Sequence, residues 1–434
     1  MKNYEVVILA GGFGSRMSKN FSDIPKPLIP VHGTPVLKHL IDECKKYNRL
    51  NILIVLHYMS EKIQDYFGDG AQYGVNIKYF VEKVPLGTGG ALLAVKNYLQ
   101  DTFLVLYADV YSDLNINHFY DFHLNNDSEI SIVVHPNDHP YDSDIVQIKN
   151  NRVVKFSSHP HSGNAKKNLV NAAMYLVNKS SLSNLSSTKK TKFDIAQNMF
   201  PELLNKKVKI APYKTSEYIK DMGTPDRLKN VNEDIKNGVV NSRNTSNKRK
   251  AIFLDRDGTI NIENGHIKNF KDFKLVEDSG DAIKMINKSH FLAICVTNQP
   301  VLARGECSLD ELDMIHNKME SELGLLGSYL DHIYYCPHHP DSGFEGEVKE
   351  LKIKCNCRKP NPGMLINARD DFNLNLEDCW FIGDSEADIG AANNAGCKSV
   401  LIEKIGHETN NFKYKPTIIK KTIYDAVHYI LCSD

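Results

Sequence analysis

Val6-Val7-Ile8-Leu9-Ala10-Gly11-Gly12-Phe13-Gly14-Ser15-Arg16-Met17 runs from a strand-sized apolar stretch directly into a glycine-rich turn. An unbroken apolar run bounded by turn residues is what a strand buried on both faces of a sheet presents. Working outward, an amphipathic stretch over 35–47, an apolar run over 50–57 and further stretches over 90–99 and 102–108 follow, with turn residues between them. That alternation is α/β. Near residue 238 it stops, and Asn241-Ser242-Arg243-Asn244-Thr245-Ser246-Asn247-Lys248-Arg249-Lys250 holds no large apolar residue. Its composition predicts a solvated tether. The alternation then restarts with Ala251-Ile252-Phe253-Leu254. The expectation is therefore two α/β domains over 1–237 and 251–434, joined by a linker over 238–250.

Length and composition agree with that division. At roughly 150 residues per domain, 434 residues suggest two or three domains. Lys+Arg and Asp+Glu both number 53 and 41% of residues are hydrophobic, a globular composition with no basic excess to suggest nucleic acid. The apolar runs fall far short of the ~20 residues a membrane span needs. Met1-Lys2-Asn3-Tyr4-Glu5 leads into a strand and glycines rather than a signal-peptide core, so a cytoplasmic location is expected, with no membrane and no nucleic-acid partner. Nine cysteines, an odd number in a long chain, are not a disulfide framework.

The glycines after the first strand let the backbone approach phosphate oxygens with its N–H groups, and Arg16 adds a planar charged donor. The spacing is neither a dinucleotide fingerprint nor the common triphosphate loop. Pro25-Lys26-Pro27 holds one ammonium in a stiff segment. Leu86-Gly87-Thr88-Gly89-Gly90 offers a second close-approach loop suited to a base or ribose. Asp109 ends the apolar run Phe103-Leu104-Val105-Leu106-Tyr107-Ala108, and Asp221 is a second carboxylate. Two carboxylates plus phosphate oxygens suit Mg²⁺.

Together these residues resemble the sugar-1-phosphate nucleotidylyltransferases. The resemblance implies that Gly11, Gly12, Gly14 and Arg16 hold a nucleoside triphosphate, that Lys26 contacts its phosphates, and that Asp109 and Asp221 hold Mg²⁺. Gly87, Thr88 and Asn171, the last within Asn171-Ala172-Ala173-Met174-Tyr175, would face substrate. One departure stands out. Where many relatives carry Glu-Lys-Pro, Phe156 is followed by Ser157-Ser158-His159-Pro160-His161, so the usual sugar-phosphate lysine is missing and Lys166 or Lys167 is the substitute to test.

In the second half, Phe253-Leu254-Asp255-Arg256-Asp257-Gly258-Thr259 places two carboxylates just past a strand, at positions that face one side of an extended segment. Thr297-Asn298 ends the next apolar run, Arg358-Lys359 supplies cations, and Asp384 through Asp388 ends a later one with acids. This set resembles the haloacid dehalogenase superfamily. The resemblance implies that Asp255 is a nucleophile forming an aspartyl-phosphate, with Asp257 as general acid and then base. It also implies that Thr297 and Lys359 bind the phosphoryl group, and that Mg²⁺ sits on Asp255, Asp384 and the carbonyl of Asp257. Cys336-Pro337-His338 and Cys355-Asn356-Cys357 give three thiols and an imidazole, the donor set of tetrahedral zinc, with His339 as the rival imidazole. The loop resembles the zinc-bearing heptose-bisphosphate and histidinol-phosphate phosphatases, which implies that Arg358 meets the substrate's distal phosphate beside Asn298. Their Thr-Asn-Gln-Ser-Gly is Thr297-Asn298-Gln299-Pro300-Val301 here, so the sugar-facing loop differs.

The expected architecture is two Rossmann-like domains, a nucleotide-diphospho-sugar transferase fold followed by a haloacid dehalogenase-like fold with a zinc loop. The pairing resembles bifunctional heptose enzymes. It implies that D-glycero-D-manno-heptose 1,7-bisphosphate loses its 7-phosphate and that the 1-phosphate reacts with GTP to give GDP-heptose, a surface-glycan precursor. The small-molecule partners expected are heptose phosphates and GTP, and a homo-oligomer is left open. The alternatives are a mannose-1-phosphate or other hexose guanylyltransferase fused to a phosphatase of different substrate, and a non-catalytic sugar-nucleotide-binding scaffold.

Overall fold

A computed structural model describes residues 4–12, 21, 23–159, 166–185, 192–343, 345–403 and 411–433. The chain divides into two compact units. Unit 1 is built on a 9-stranded sheet. Its parallel half contains β1 (Tyr4–Ala10), β2 (Asn51–Leu56), β3 (Asn76–Val81) and β4 (Leu99–Tyr107) in the order β4-β1-β2-β3. The antiparallel extension adds β5 (Ile130–His135), β6 (Ile145–Lys149), β7 (Arg152–Ser157) and β8 (Val170–Asn178), with β8 against β4. Last in the chain, β9 (Ile210–Lys214) lies parallel to β5.

The opening run reads as a central strand because its alternate side chains serve opposite cores. Val7 and Leu9 join one buried cluster, whereas Val6, Ile8 and Ala10 join the other. Burying such side chains contributes roughly 1.5–3 kcal/mol each. Since β1 and β4 are parallel neighbours, Gly11 and Asp109 emerge at the same carboxyl edge, where open α/β sheets bind ligands. A two-stranded ribbon, Val110–Asp113 against Tyr218–Asp221, continues from there.

Unit 2 has a 6-stranded, wholly parallel sheet of β10 (Lys250–Leu254), β11 (Phe291–Asn298), β12 (His332–Cys336), β13 (Trp380–Gly383), β14 (Lys398–Ile402) and β15 (Ile418–Lys420). Their order is β12-β11-β10-β13-β14-β15. Ile252 and Leu254 face one core and Ala251 and Phe253 the other. The three central strands β11, β10 and β13 therefore deliver Thr297, Asp255 and Asp384 side by side at one edge.

Two expectations need correction. The polar stretch over 238–250 is largely bound rather than solvated: Val239–Ser242 is a helical turn, and Val239, Val240, Arg243, Asn244 and Arg249 are buried. Arg249 Nε donates to Phe372 O at 2.7 Å, and Asn373 Nδ2 donates to the carbonyls of Thr245 and Asn247. Hydrogen bonds to main chain do here what apolar side chains do elsewhere, and hydropathy does not register them. The units change over at Asn244 and Thr245. Second, Pro136–Asp142 and the described residues 166–168 belong to unit 2, where Lys166 N donates to Ser321 Oγ on helix Leu309–Leu325 and Lys166 O accepts from that hydroxyl. Among the described residues no helix is long and apolar enough to cross a membrane.

Candidate active sites and their relatives

In unit 1, a cavity of about 340 Å³ at the carboxyl edge is lined by Gly11, Gly12, Lys26, Glu82, Gly87, Thr88, Tyr107, Asp109 and Lys192 among others. Its size falls in the usual range of small-molecule sites, roughly 300–1,000 Å³. Gly14 and Arg16 lie outside the described residues. Lys26 Nζ stands 2.6 Å from Asp109 Oδ2. Asp221 reaches the same neighbourhood because Met222 N donates to Asp109 O and Asp221 pairs with Val110 across the ribbon. Its carboxylate is held by Arg227 Nη1, 2.8 Å from both oxygens, and by Gly223 N.

The second glycine loop acts mainly in packing. It opens helix Gly87–Val95, and Gly87 has φ +77° with Phe193 O 2.7 Å from where a Cβ would stand, so any side chain there would clash. Thr88 Oγ1 donates to Asp194 Oδ2 at 2.7 Å and accepts from Ile195 N. Asn171 Nδ2 donates to Tyr175 OH, and the Tyr175 ring meets Tyr107 of the cavity wall edge-on. Lys167 faces Glu320 and His316 within unit 2, and neither it nor Lys166 is among the cavity's lining residues. Lys192, which lines the cavity together with Lys26, was missed. So was Glu82, which follows β3 directly. Its Oε1 accepts from Leu86 N at 3.3 Å, its Oε2 stands 3.0 Å from where a Cβ on Gly11 would be, and burial raises its pKa.

In unit 2, Lys359 Nζ is 2.8 Å from Asp255 Oδ1, 2.6 Å from Asp388 Oδ1 and 2.9 Å from Val296 O. Burial opposes its charge, but Asp255 and Asp388 outweigh that and hold its pKa above the ordinary lysine value. Asp255, Asp384 and Asp388 gather ligand oxygens within 4.8 Å of one another. Burial, then Asp388, push the Asp255 pKa well up against the pull of Lys359, as expected where buried carboxylates outnumber cations. Asp388 is the member sequence reasoning left out. It caps helix Glu386–Ala395 through Ser385, and it fits because residue 383 is glycine: a Cβ there would lie 2.4 Å from Asp388 Cγ.

Asp257 was expected beside this group, but its side chain turns to Arg256, Gln299 and Asn261. The Asn298 amide accepts from Lys359 N at 3.0 Å and donates to Lys359 O at 3.1 Å. It therefore orients the lysine. Thr297 is 1% exposed and its Oγ1 accepts from Gln299 Nε2.

Cys336, His338, Cys355 and Cys357 form a second cluster. Its S···S separations are 3.2–3.6 Å and its S···N separations 3.3 and 3.7 Å. Tetrahedral zinc with bonds of ~2.3 Å to sulfur sets neighbouring sulfurs about 3.8 Å apart, whereas a disulfide needs about 2.05 Å. His339 is turned away, its Nδ1 accepting from Asp341 N. Arg358 Nη1 donates to His338 O, which ties the cation to the cluster.

Comparison with known proteins gives each unit a family. The nucleotidyl transferase family model matches residues 5–238, and a HAD-hydrolase-like model matches 356–426. A D-glycero-beta-D-manno-heptose-1,7-bisphosphate 7-phosphatase of Vibrio cholerae is 35% identical over 184 residues, 42% of this chain and 97% of that protein. The Escherichia coli K12 protein of the same name is 37% identical over 156 residues, 36% of this chain and 80% of that one. The crystal structure of HddC from Yersinia pseudotuberculosis aligns with a TM-score of 0.47 at 26% identity, covering 54% of this chain and 99% of that one. The chain thus belongs to the nucleotidyl transferase family over residues 5–238 and carries, in the same polypeptide, a haloacid dehalogenase-type domain of the heptose-bisphosphate phosphatase family.

Proposed function

We propose that unit 2 removes the 7-phosphate of D-glycero-D-manno-heptose 1,7-bisphosphate and that unit 1 transfers GMP from GTP to the resulting 1-phosphate, releasing pyrophosphate. The two reactions act at opposite ends of one sugar, which makes them consecutive steps. The observation that carries the reading is the buried cluster of Asp255, Lys359, Asp384 and Asp388 beside Thr297. A binding scaffold has no need of a nucleophile held against a lysine.

In the first step an Asp255 oxygen attacks the phosphorus, the sugar–oxygen–phosphorus bond breaks, and Asp257 protonates the departing sugar oxygen. Lys359 and Thr297 hold the phosphoryl oxygens. Water then attacks the aspartyl-phosphate, gives its proton to Asp257 and frees Asp255. The three carboxylates fit a divalent cation, and Mg²⁺ there would supply the charge that offsets repulsion between anionic nucleophile and anionic phosphate. The Cys336, His338, Cys355 and Cys357 set fits zinc as a structural staple that fixes Arg358 toward the distal phosphate.

In unit 1 the sugar-phosphate oxygen attacks the α-phosphorus and the bond to the β-phosphate breaks. Positioning and charge are what the protein supplies, from the Gly11 and Gly12 backbone, Lys26 and, by the family resemblance, Arg16. Asp109 and Asp221 fit Mg²⁺, which would neutralise triphosphate charge. Glu82 supports guanine: of the common bases, guanine presents two adjacent N–H donors, which a carboxylate can accept together. The test is Asp255→Asn. Phosphate release from the bisphosphate should vanish while pyrophosphate release from GTP and heptose 1-phosphate persists. Unchanged phosphate release would overturn the mechanism.

A further inference from the structure

Arg256 sits between the two carboxylates of its motif, and no step above uses it. Its side chain is 0% exposed. A buried guanidinium is costly unless acceptors meet its donors, and here they do. Nη2 donates to Asp257 Oδ1 and Oδ2 at 3.0 and 2.9 Å and to Gln299 Oε1 at 3.0 Å, and Nε donates to Asp257 Oδ1 at 3.2 Å. Nη1 lies 3.3 Å from His316 Nε2. Because a guanidinium can only donate, that ring nitrogen must be the acceptor, with the imidazole neutral and its proton on Nδ1. Burial, then Arg256 and Lys167, hold the His316 pKa well below its ordinary value.

Gln299 completes the frame. Its Nε2 donates to Asp257 Oδ2 and to Thr297 Oγ1, both at 2.9 Å, and Asn261 Nδ2 donates to Asp257 Oδ1 at 3.1 Å. Each of these three side chains thus meets the Asp257 carboxylate with an N–H. A carboxylate held by donors from three side chains is fixed in orientation.

We propose that Arg256, backed by His316 and Gln299, is a positioning residue that aims Asp257 as proton acceptor for hydrolysis of the phosphoenzyme. In that step the water oxygen bonds to phosphorus, and the bond from phosphorus to Asp255 oxygen breaks with its electron pair returning to the carboxylate. The water proton passes to Asp257, and inorganic phosphate leaves. The proposal rests on the aspartyl-phosphate reading above.

The test uses the full chain with Mg²⁺ and two probes, p-nitrophenyl phosphate and a primary alkyl phosphate. Arg256→Gln should lower kcat about 10²-fold, the lower end of general acid–base effects, and to the same value for both probes, because hydrolysis of the phosphoenzyme is common to both. Acid quenching should trap labelled phosphate on the variant, and nitrophenol should appear in a stoichiometric burst. Arg256→Lys should recover part of the rate. His316→Asn, which keeps the guanidinium, should give a smaller fall with the same trapped intermediate, and it decides the matter if Arg256→Gln fails to fold. Slow turnover without trapped phosphate, or a fall confined to the alkyl substrate, would overturn the proposal. A wild-type chain that releases no phosphate from either probe would instead overturn the phosphatase reading.

Discussion

Lys359→Met is the perturbation whose size the structure sets most directly. The ammonium is 2% exposed and lies 2.8 Å from Asp255 and 2.6 Å from Asp388; at an effective dielectric of about 20, each such pair is worth about 6 kcal/mol of Coulomb energy. Desolvation takes back much of that, so the net is smaller than the sum. Removing one partner of a buried ion pair nonetheless typically costs about 3–5 kcal/mol, because the other charge stays behind uncompensated. For a domain of 150–250 residues each kcal/mol moves Tm by roughly 2–4 °C, so unit 2 should melt about 10 °C lower. Phosphate release should fall at least ~10²-fold, the scale of losing one preorganised charge donor. Differential scanning calorimetry of the full chain, read beside a phosphate-release assay, measures both. Added Mg²⁺ should stabilise the variant more than the wild type, since the carboxylate cluster has lost a positive charge. A variant that melts like the wild type and releases phosphate within twofold of it would refute the reasoning.

Other consequences follow from the same geometry. Metal analysis should find tightly bound zinc, and Cys357→Ser should lose it and phosphate release together while sparing pyrophosphate release; full activity without zinc would remove the staple. Glu82→Gln should cut kcat/KM for GTP by about 10–100-fold, matching the ~1.5–3 kcal/mol of a hydrogen bond to a charged group, and leave slow use of ATP nearly unchanged; an equal loss with both nucleotides would argue against base recognition. Glu43 is buried, and burial raises its pKa from 4.5 to about 8. Between those values the folded chain holds a proton the unfolded chain has lost, so unit 1 should lose stability as pH rises through that window. Glu43→Gln, which can keep the bonds to Ser112 and Leu114 N, should flatten that slope and melt several degrees above the wild type at pH 9; identical melting curves across the range would contradict it.

What the sequence made legible, and what it hid, follows from how local each feature is. Each strand that ends in chemistry is a continuous apolar run closed by a glycine, hydroxyl or acid, and Asp255, Thr297 and Asp384 stand together because β11, β10 and β13 are adjacent. The metal-type cluster of three cysteines and His338 was readable because its spacing is the signal. Asp388 was harder to assign, since an acid in the first turn of a helix is ordinarily a cap; only the fold shows its second oxygen reaching Lys359. Lys192 and Glu82 sit in no recognisable pattern and reach the cavity through tertiary packing. Arg256 looked like a spacer between two aspartates. Its partners Gln299 and His316 are 43 and 60 positions away in the chain, beyond anything periodicity can show. The 238–250 stretch misled for a related reason: main-chain hydrogen bonds to Phe372 and Asn373, not hydropathy, order its second half.

The most direct test of the central claim is product identification by mass. The full chain is incubated with D-glycero-D-manno-heptose 1,7-bisphosphate, Mg²⁺ and each nucleoside triphosphate in turn. The account predicts inorganic phosphate, pyrophosphate and GDP-heptose with GTP, and phosphate with heptose 1-phosphate when no triphosphate is present. Equal nucleotide-sugar yields from all four triphosphates, or a bisphosphate recovered intact, would contradict it.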